Sequence, residues 1–189
     1  LGNAVAIEFL GPIAVAAIGT RTTRSAGALV LAASGVLVLA GVQGDGTLLG
    51  VLFALLAGAM WAGYIVLGHR VAQDGLAVDG LGVGMLIGAV VISPSGLGEL
   101  NVAFADPRIL ALVLAAAILS NVIPYGIDQF VMRQITRSRF AFLQALLPVT
   151  ATVVGVLSLG QSPSWSECLG IGSVIVAIAI SSGDREFRK

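Results

Sequence analysis

A carboxylate, a phenol hydroxyl and a proline interrupt one of the long apolar runs of this sequence. The run contains Ser120, Asn121, Pro124, Tyr125 and Asp128. A charged side chain at the centre of a bilayer costs roughly 2.5–3.5 kcal/mol on insertion scales, so it persists where it faces a polar interior or is protonated. Proline removes one helical hydrogen bond and kinks a helix. The run therefore predicts a kinked, acid-bearing helix that lines a solute pathway through a membrane.

Asp128 has two interpretations. Burial favours the protonated form of a carboxyl group, and a nearby cation favours the ionised form. In the first interpretation, Asp128 therefore alternates between the two forms as a cavity opens to each side of the membrane. In the second, it lies near a helix end and pairs with Arg133 or Arg139. We favour the first as a hypothesis, because acids inside membrane spans are functional by default.

Three further side chains are candidates for substrate binding or proton coupling. Glu8 lies near the middle of another apolar run, where the alternative is a structural hydrogen bond to Gln144. Trp61 and Tyr64 are three residues apart and share one helix face. They form either an aromatic wall that binds an ammonium group or an anchor at the membrane interface.

The uncharged polar candidates have a structural alternative as well. Ser120, Asn121 and Gln144 either bind solute or join neighbouring helices, and joining is the commoner use of such side chains. The Tyr125 hydroxyl lies near Asp128 in the sequence and requires a hydrogen-bond partner.

The composition makes the lipid bilayer the solvent of this chain. Hydrophobic residues make up 57% and charged residues 11%, with a mean hydropathy of +1.01, whereas soluble domains have about 25% charged residues. A formal net charge of zero argues against a nucleic-acid partner. One cysteine, Cys168, and one histidine, His69, predict no intrachain disulfide, metal or cofactor. Catalysis by a nucleophile with a histidine base is not expected either.

Membrane spans need about 20 mostly apolar residues. Seven stretches qualify or come close: 1–19, 25–42, 47–68, 78–97, 108–131, 139–159 and 166–182. The predicted fold is an all-α polytopic bundle of seven transmembrane helices. Tight turns are predicted at 44–46 and 160–164, and Ser164 or Ser166 is expected to cap the last helix.

Basic residues in the loops predict the orientation. One side of the membrane receives Arg21, Arg24, Arg70, Arg133, Arg137, Arg139, Arg185, Arg188 and Lys189, and the other receives Arg108. Cytoplasmic loops carry the excess of Lys and Arg, so a multi-pass protein of the plasma (inner) membrane with a cytoplasmic C-terminus is predicted. The chain starts at Leu1 without a signal peptide, and we expect it to begin inside a longer protein.

Two prolines suggest an internal repeat. Pro12 and Pro148 are 136 positions apart, and so are the polar residues Glu8 and Gln144 that precede them by four. The repeated helices are five spans apart, which predicts an inverted repeat with substrate near the midplane; chance similarity is the alternative. Residues 1–42 would be the last two helices of a first repeat, 47–182 a complete second repeat, and 183–189 a cytoplasmic tail.

Several segments resemble the drug/metabolite transporter superfamily and, within it, inner-membrane transporters of the EamA-domain, threonine/homoserine-exporter type. They are Glu8-Phe9-Leu10-Gly11-Pro12, Trp61-Ala62-Gly63-Tyr64, Ser120 with Pro124-Tyr125, and Pro148 with Gly160. The resemblance implies the last seven of ten helices of a five-plus-five fold, and proton-driven antiport that exports small metabolites such as amino acids. It also implies acids at two positions that are Leu147 and Gln161 here, which leaves more of the coupling to Glu8 and Asp128.

The sequence thus predicts a secondary transporter that exports a small polar metabolite by alternating access. An amino acid such as threonine or homoserine is the expected solute, and an N-terminal half or a second copy is a further possible partner. The alternatives are an inactive truncated membrane protein or a helix-packing partner without transport activity, followed by a membrane-embedded enzyme.

Overall fold

A computed structural model describes residues 2–41, 47–96, 98, 104–160 and 162–182. The described residues form helices and turns. The helices are α1 (Gly2–Glu8), α2 (Leu10–Ile18), α3 (Thr23–Ala40), α4 (Leu48–Gln73), α5 (Ala77–Gly96), α6 (Pro107–Ala117), a π-helical turn (Ile118–Val122), α7 (Ile123–Met132), α8 (Arg137–Leu143), α9 (Leu146–Leu159) and α10 (Trp165–Ser182). An all-helical, multi-pass membrane fold is therefore confirmed.

Five helical segments within the described residues are long and apolar enough to cross a bilayer. They are Thr23–Ala40, Leu48–Gln73, Ala77–Gly96, Pro107–Met132 and Arg137–Leu159. Ala4–Ile18 and Trp165–Ser181 are shorter apolar helical segments. These seven segments correspond to the seven predicted stretches. The predicted turn at 44–46 and the tail at 183–189 lie outside the described residues.

Side-chain caps fix several helix starts. Thr22 and Ser25 form a reciprocal capping box at the start of α3, and Asp106 accepts a hydrogen bond from the Arg108 backbone N–H at 2.8 Å. At α10, Ser164 Oγ accepts from the Glu167 N–H at 3.3 Å, and the Ser164 N–H donates to the Glu167 carboxylate at 2.6 Å. The predicted cap at Ser164 is thus confirmed, because both partners satisfy backbone groups that the helix leaves free.

The chain divides into two compact units. Unit 1 comprises residues 1–67 and 135–189, and unit 2 comprises residues 68–134. In unit 1, α3 packs along α10, and the helices approach closely at Gly35 and Gly170. A Cβ on Gly35 would lie 2.8 Å from the Gly170 carbonyl oxygen, and one on Gly170 would lie 3.0 Å from that of Gly35. Backbone contact at small residues is how helices associate in lipid.

Unit 2 has little interior of its own. Its α5 and α7 pack against each other, and the buried side chains gather near the α4–α5 turn and the end of α7, at Ala72, Ala77, Gln129 and Met132. Every side chain from 111 to 127 is exposed. The long span of unit 2 is therefore not covered by the rest of that unit.

Candidate functional site

The first predicted span is broken in the middle, at Phe9. Helix α1 ends at Glu8 and α2 begins at Leu10. Pro12 explains the position of the break, because proline has no N–H to donate to the carbonyl four residues earlier and its ring crowds that carbonyl. The carbonyl in question belongs to Glu8. The half-buried carboxylate candidate thus lies at the point where the helix loses its regular bonding.

The sixth predicted span is broken in the same way. Helix α8 ends at Leu143 and α9 begins at Leu146, and Pro148 lies four residues after Gln144. Gln144 is buried, and its backbone N–H donates to the carbonyl of Phe140 at 3.3 Å. The two breaks fall at positions related by the same 136-residue offset as the two prolines.

Two glycines and two aromatic rings hold the first break against α4. A Cβ on Gly58 would lie 2.9 Å from the Glu8 carbonyl oxygen, and a Cβ on Gly11 would collide with the Gly58 carbonyl oxygen. Next to this crossing, the rings of Phe9 and Trp61 meet edge to face, with centroids 5.0 Å apart and an interplanar angle of 69°. Such a pair contributes about 0.5–1.5 kcal/mol beyond the area it buries. The backbone around Glu8 is therefore firmly packed.

Phe9 and Pro12 also face the second break across a small cavity. The cavity has a volume of about 10 Å³, and the second break contributes Phe142 and Ala145 to its lining, together with side chains of α3. It holds at most one water-sized sphere. A small-molecule site usually has roughly 300–1,000 Å³, so this cavity does not accommodate an amino acid.

The other aromatic candidate of unit 1, Tyr64, is half-buried. Ala54, Gly58 and Ile65 form a buried stripe of α4 that Trp61 extends at helical spacing. The structure thus groups Glu8, Trp61, Tyr64 and Gln144 with Pro12 and Pro148 in unit 1.

Unit 2 contains the remaining candidates, and its Pro124 acts differently from Pro12 and Pro148. Pro124 is the second residue of α7 and directly follows the π-helical turn. The Ile123 N–H donates to the Ile118 carbonyl, five residues earlier. Pro124 has no N–H to donate to the Ser120 carbonyl, four residues earlier. The extra residue in the π-helical turn makes room for this unbonded carbonyl. Pi-helical turns of this kind are frequent at functional sites.

Ser120, Asn121 and Tyr125, around this turn, are exposed. Ser120 Oγ donates to the Ala116 carbonyl at 2.6 Å, and Asn121 Nδ2 donates to Ser120 Oγ at 2.9 Å. Tyr125 is 37% exposed, and Asp128 is half-buried. Tyr125 and Asp128 are three residues apart in α7 and therefore share one helix face. These groups can bind a polar solute by hydrogen bonds and, at Asp128, by charge.

The structure adds one residue that the sequence analysis did not single out. Gln129 is 4% exposed, and its Oε1 is buried without a hydrogen-bond donor among the described residues. In the sequence, Gln129 is noticeable only as a glutamine next to Asp128 in an apolar helix. Whether it is buried depends on how the helices pack. Within the same described residues, no group of three or more His, Cys, Asp or Glu side chains is arranged to hold a metal ion.

The family comparison places the chain among transporters. The model of the EamA-like transporter family matches residues 48–183. The chain is also 35% identical over 181 residues, 94% of its length, to proteins of Escherichia coli (strain K12) and Salmonella typhimurium (strain LT2), both named threonine/homoserine exporter RhtA. It spans 61% of the length of these relatives.

A more distant relative has a general name. The chain is 27% identical over 149 residues, 75% of its length and 46% of the relative's, to the uncharacterized transporter YcbK of Bacillus subtilis (strain 168). No solved structure matches the chain significantly.

Proposed function

The chain belongs to the EamA-like transporter family, and on this premise we propose that it takes part in the export of a small polar metabolite across the plasma (inner) membrane. We propose an amino acid of the threonine or homoserine type as the solute. The observation that carries this proposal is the 35% identity, over 94% of the chain, to the threonine/homoserine exporters of Escherichia coli and Salmonella typhimurium. The proposed activity is secondary transport rather than catalysis.

The arrangement of unit 2 supports a polar solute. The π-helical turn and Pro124 present Ser120, Asn121 and Tyr125 on an exposed helix surface. The Asn121 side chain has four hydrogen-bonding sites, and its bond to Ser120 uses one of them. Hydrocarbon cannot bond the others. An amino acid, by contrast, supplies ammonium and carboxylate groups that match such donors and acceptors.

We propose proton coupling through the two carboxylates, Glu8 and Asp128. Glu8 lies at the break between α1 and α2, where the freed carbonyl makes the backbone locally polar. Asp128 follows Pro124 by about one turn of α7. In this mechanism, each carboxylate binds a proton when the pathway is open to one side of the membrane and releases it when the pathway is open to the other side. Such an antiporter exchanges protons for the solute.

The cytoplasmic side is proposed from the loop charges. Six of the nine basic residues on that side lie in the described part of the chain: Arg21, Arg24, Arg70, Arg133, Arg137 and Arg139. The positive-inside rule then gives a cytoplasmic C-terminus. Since the chain spans 61% of the length of its exporter relatives, we propose that a further helical segment or a second copy completes the solute pathway.

Flux in proteoliposomes tests the proposal. The chain is reconstituted alone and, separately, joined to the part of the Escherichia coli relative that the match leaves out. Uptake of radiolabelled L-threonine is measured with and without an imposed pH gradient. We expect the joined protein to exceed empty liposomes and to respond to the gradient. If neither protein gives more flux than empty liposomes, the proposal is contradicted. If the joined protein transports L-threonine and the chain alone does not, the chain needs its complement for activity.

Neutral variants test the two carboxylates in the active form. Glu8→Gln and Asp128→Asn are each expected to abolish the response of flux to the pH gradient, because a side-chain amide, unlike a carboxylate, does not bind and release a proton. Asp74→Asn, at an exposed turn after α4, is the matched control and should behave as wild type. A normal gradient response in well-folded Asp128→Asn excludes that residue from coupling, and the same result for Glu8→Gln excludes Glu8.

A further inference from the structure

Gln129 presents a buried hydrogen-bond acceptor, its side-chain Oε1, in the described part of unit 2. The residue is 4% exposed, and Oε1 meets no donor among the described residues. A buried acceptor without a donor loses its hydration and gains nothing in return, and folded proteins nearly always provide a partner for such groups. A small bound donor would satisfy this oxygen.

Two other side-chain amides in this part of unit 2 donate to backbone carbonyls of α7. Gln73, at the end of α4, donates its Nε2 to the Met132 carbonyl at 2.9 Å. Gln134 donates its Nε2 to the Phe130 carbonyl at 3.4 Å. Two side-chain amides thus bond to backbone carbonyls at the end of α7, where Met132 is 0% exposed. Among the described residues, the buried Gln129 Oε1 has no donor of this kind.

We propose that Gln129 Oε1 is the acceptor of a buried site in unit 2 that binds a small hydrogen-bond donor. An amide oxygen is neutral and accepts from O–H or N–H groups. The half-buried carboxyl group of Asp128 precedes it in α7, which suits a neutral or cationic donor better than an anion. Two sources have this chemistry: a bound water, and the ammonium or hydroxyl group of an amino-acid solute. The solute source rests on the proposed function, and the water source does not.

Radiolytic labelling in ¹⁸O-water locates such a donor. Hydroxyl radicals generated from a bound water oxidise the side chain beside it, even where bulk solvent does not reach. Met132 lies three residues after Gln129 on the same helix face and is 0% exposed, so bulk radicals do not reach it. Oxidation at Met132 is measured by mass spectrometry in the purified full chain, with and without saturating L-threonine. Gln129→Leu removes the acceptor, and Gln134→Leu is the control at an exposed glutamine.

We expect Met132 to carry ¹⁸O in the wild type. Labelling should fall about fivefold or more in Gln129→Leu, since a buried water is held by its polar partners, and should stay unchanged in Gln134→Leu. Protection by L-threonine assigns the donor to the solute as well, and unchanged labelling assigns it to water alone. If Gln129→Leu does not fold, Gln129→Asn, which withdraws the amide by one methylene, replaces it. An unlabelled Met132 in the wild type, or equal labelling in the variant, overturns the site. Because labelling requires no transport, a failure of L-threonine flux leaves this result standing.

Discussion

The two units of this protein each contain a proline-broken helix, and they treat the break in different ways. In unit 1, the break at Phe9 is enclosed by α4, with Gly11 against Gly58 and the Phe9 ring against Trp61. In unit 2, the π-helical turn before Pro124 is exposed, and so is every side chain from 111 to 127. The same backbone chemistry thus produces a packed junction in one unit and, in the other, an exposed turn that carries Ser120 and Asn121 within an apolar span.

Pro12 therefore lies in a junction between packed helices, whereas the turn before Pro124 has no packing partner among the described residues of its unit. A packed junction needs small residues where backbones meet, and unit 1 has them. An exposed surface with Asn121 and Tyr125 gains nothing from hydrocarbon, which cannot bond polar groups. We infer that the surface of unit 2 faces a polar pathway or further protein rather than lipid alone. Four predictions test this contrast, from the largest expected effect on stability to the smallest.

Gly11→Ala should break the packed junction. The new Cβ would lie 2.8 Å from the carbonyl carbon of Gly58 and closer still to its oxygen. Both atoms belong to backbone that cannot move without shifting α4. We expect a loss of about 3 kcal/mol or more in the free energy of unfolding, measured by denaturant titration in detergent.

Gly63→Ala is the matched control, because a Cβ there meets no atom within 4 Å. Its stability should be no lower than that of the wild type, because alanine favours a helix more than glycine does. Equal stability of Gly11→Ala and Gly63→Ala would show that the two helices do not cross where the structure places them.

Gly35→Ala tests the other close contact of unit 1. Its Cβ would lie 2.8 Å from the Gly170 carbonyl oxygen and 2.8 Å from a methyl group of Val174. The side chain of Val174 can yield, so we expect a smaller loss, about 1–3 kcal/mol. Gly27→Ala, also in α3 and with open space around it, provides the reference in the same titration. A Gly35→Ala variant as stable as Gly27→Ala contradicts the packing of α3 on α10.

The Phe9 and Trp61 rings allow a direct measurement of their contact. Phe9→Leu, Trp61→Leu and the double variant form a cycle in which losses from burial cancel. The coupling energy between the rings should be about 0.5–1.5 kcal/mol, as for other edge-to-face pairs. A coupling indistinguishable from zero would indicate that the rings do not meet in the folded protein.

Asn121→Ala should leave the stability of unit 2 nearly unchanged. The side chain is exposed, and surface substitutions usually alter the free energy of unfolding by less than about 0.5 kcal/mol. If Asn121 lines the solute pathway, L-threonine flux of the active form should fall about tenfold, in line with loss of one buried hydrogen bond to solute. A large loss of stability with normal specific flux would instead make Asn121 a helix contact, and the contrast between the units would fail.

Part of the candidate site was accessible from sequence because it depends on local chemistry. Pro12 and Pro148 each lack an N–H, so the breaks beside Glu8 and Gln144 follow from the residues four positions earlier. The Ser164 cap follows from a serine and Glu167 at capping-box spacing. The π-helical form of the third break did not follow, since a proline permits a kink of several kinds.

The partner of Trp61 was beyond the reach of sequence reasoning. The three-residue spacing to Tyr64 indicated a shared face, but the contact with Phe9 requires α4 to cross the first break at Gly58. The burial of Gln129 is of the same kind, because it depends on which other elements pack around α7.

By itself, the sequence determined the environment and the local geometry: a hydropathy that requires lipid, spans of bilayer length, caps, and prolines that break helices at fixed distances. These features depend on residues within a turn or two of one another, or on the chain as a whole. Only the tertiary structure decided which breaks are packed and which are exposed. In lipid, helix association depends on close steric fit between backbones rather than on apolar character, and apolar residues are present on every face of these helices.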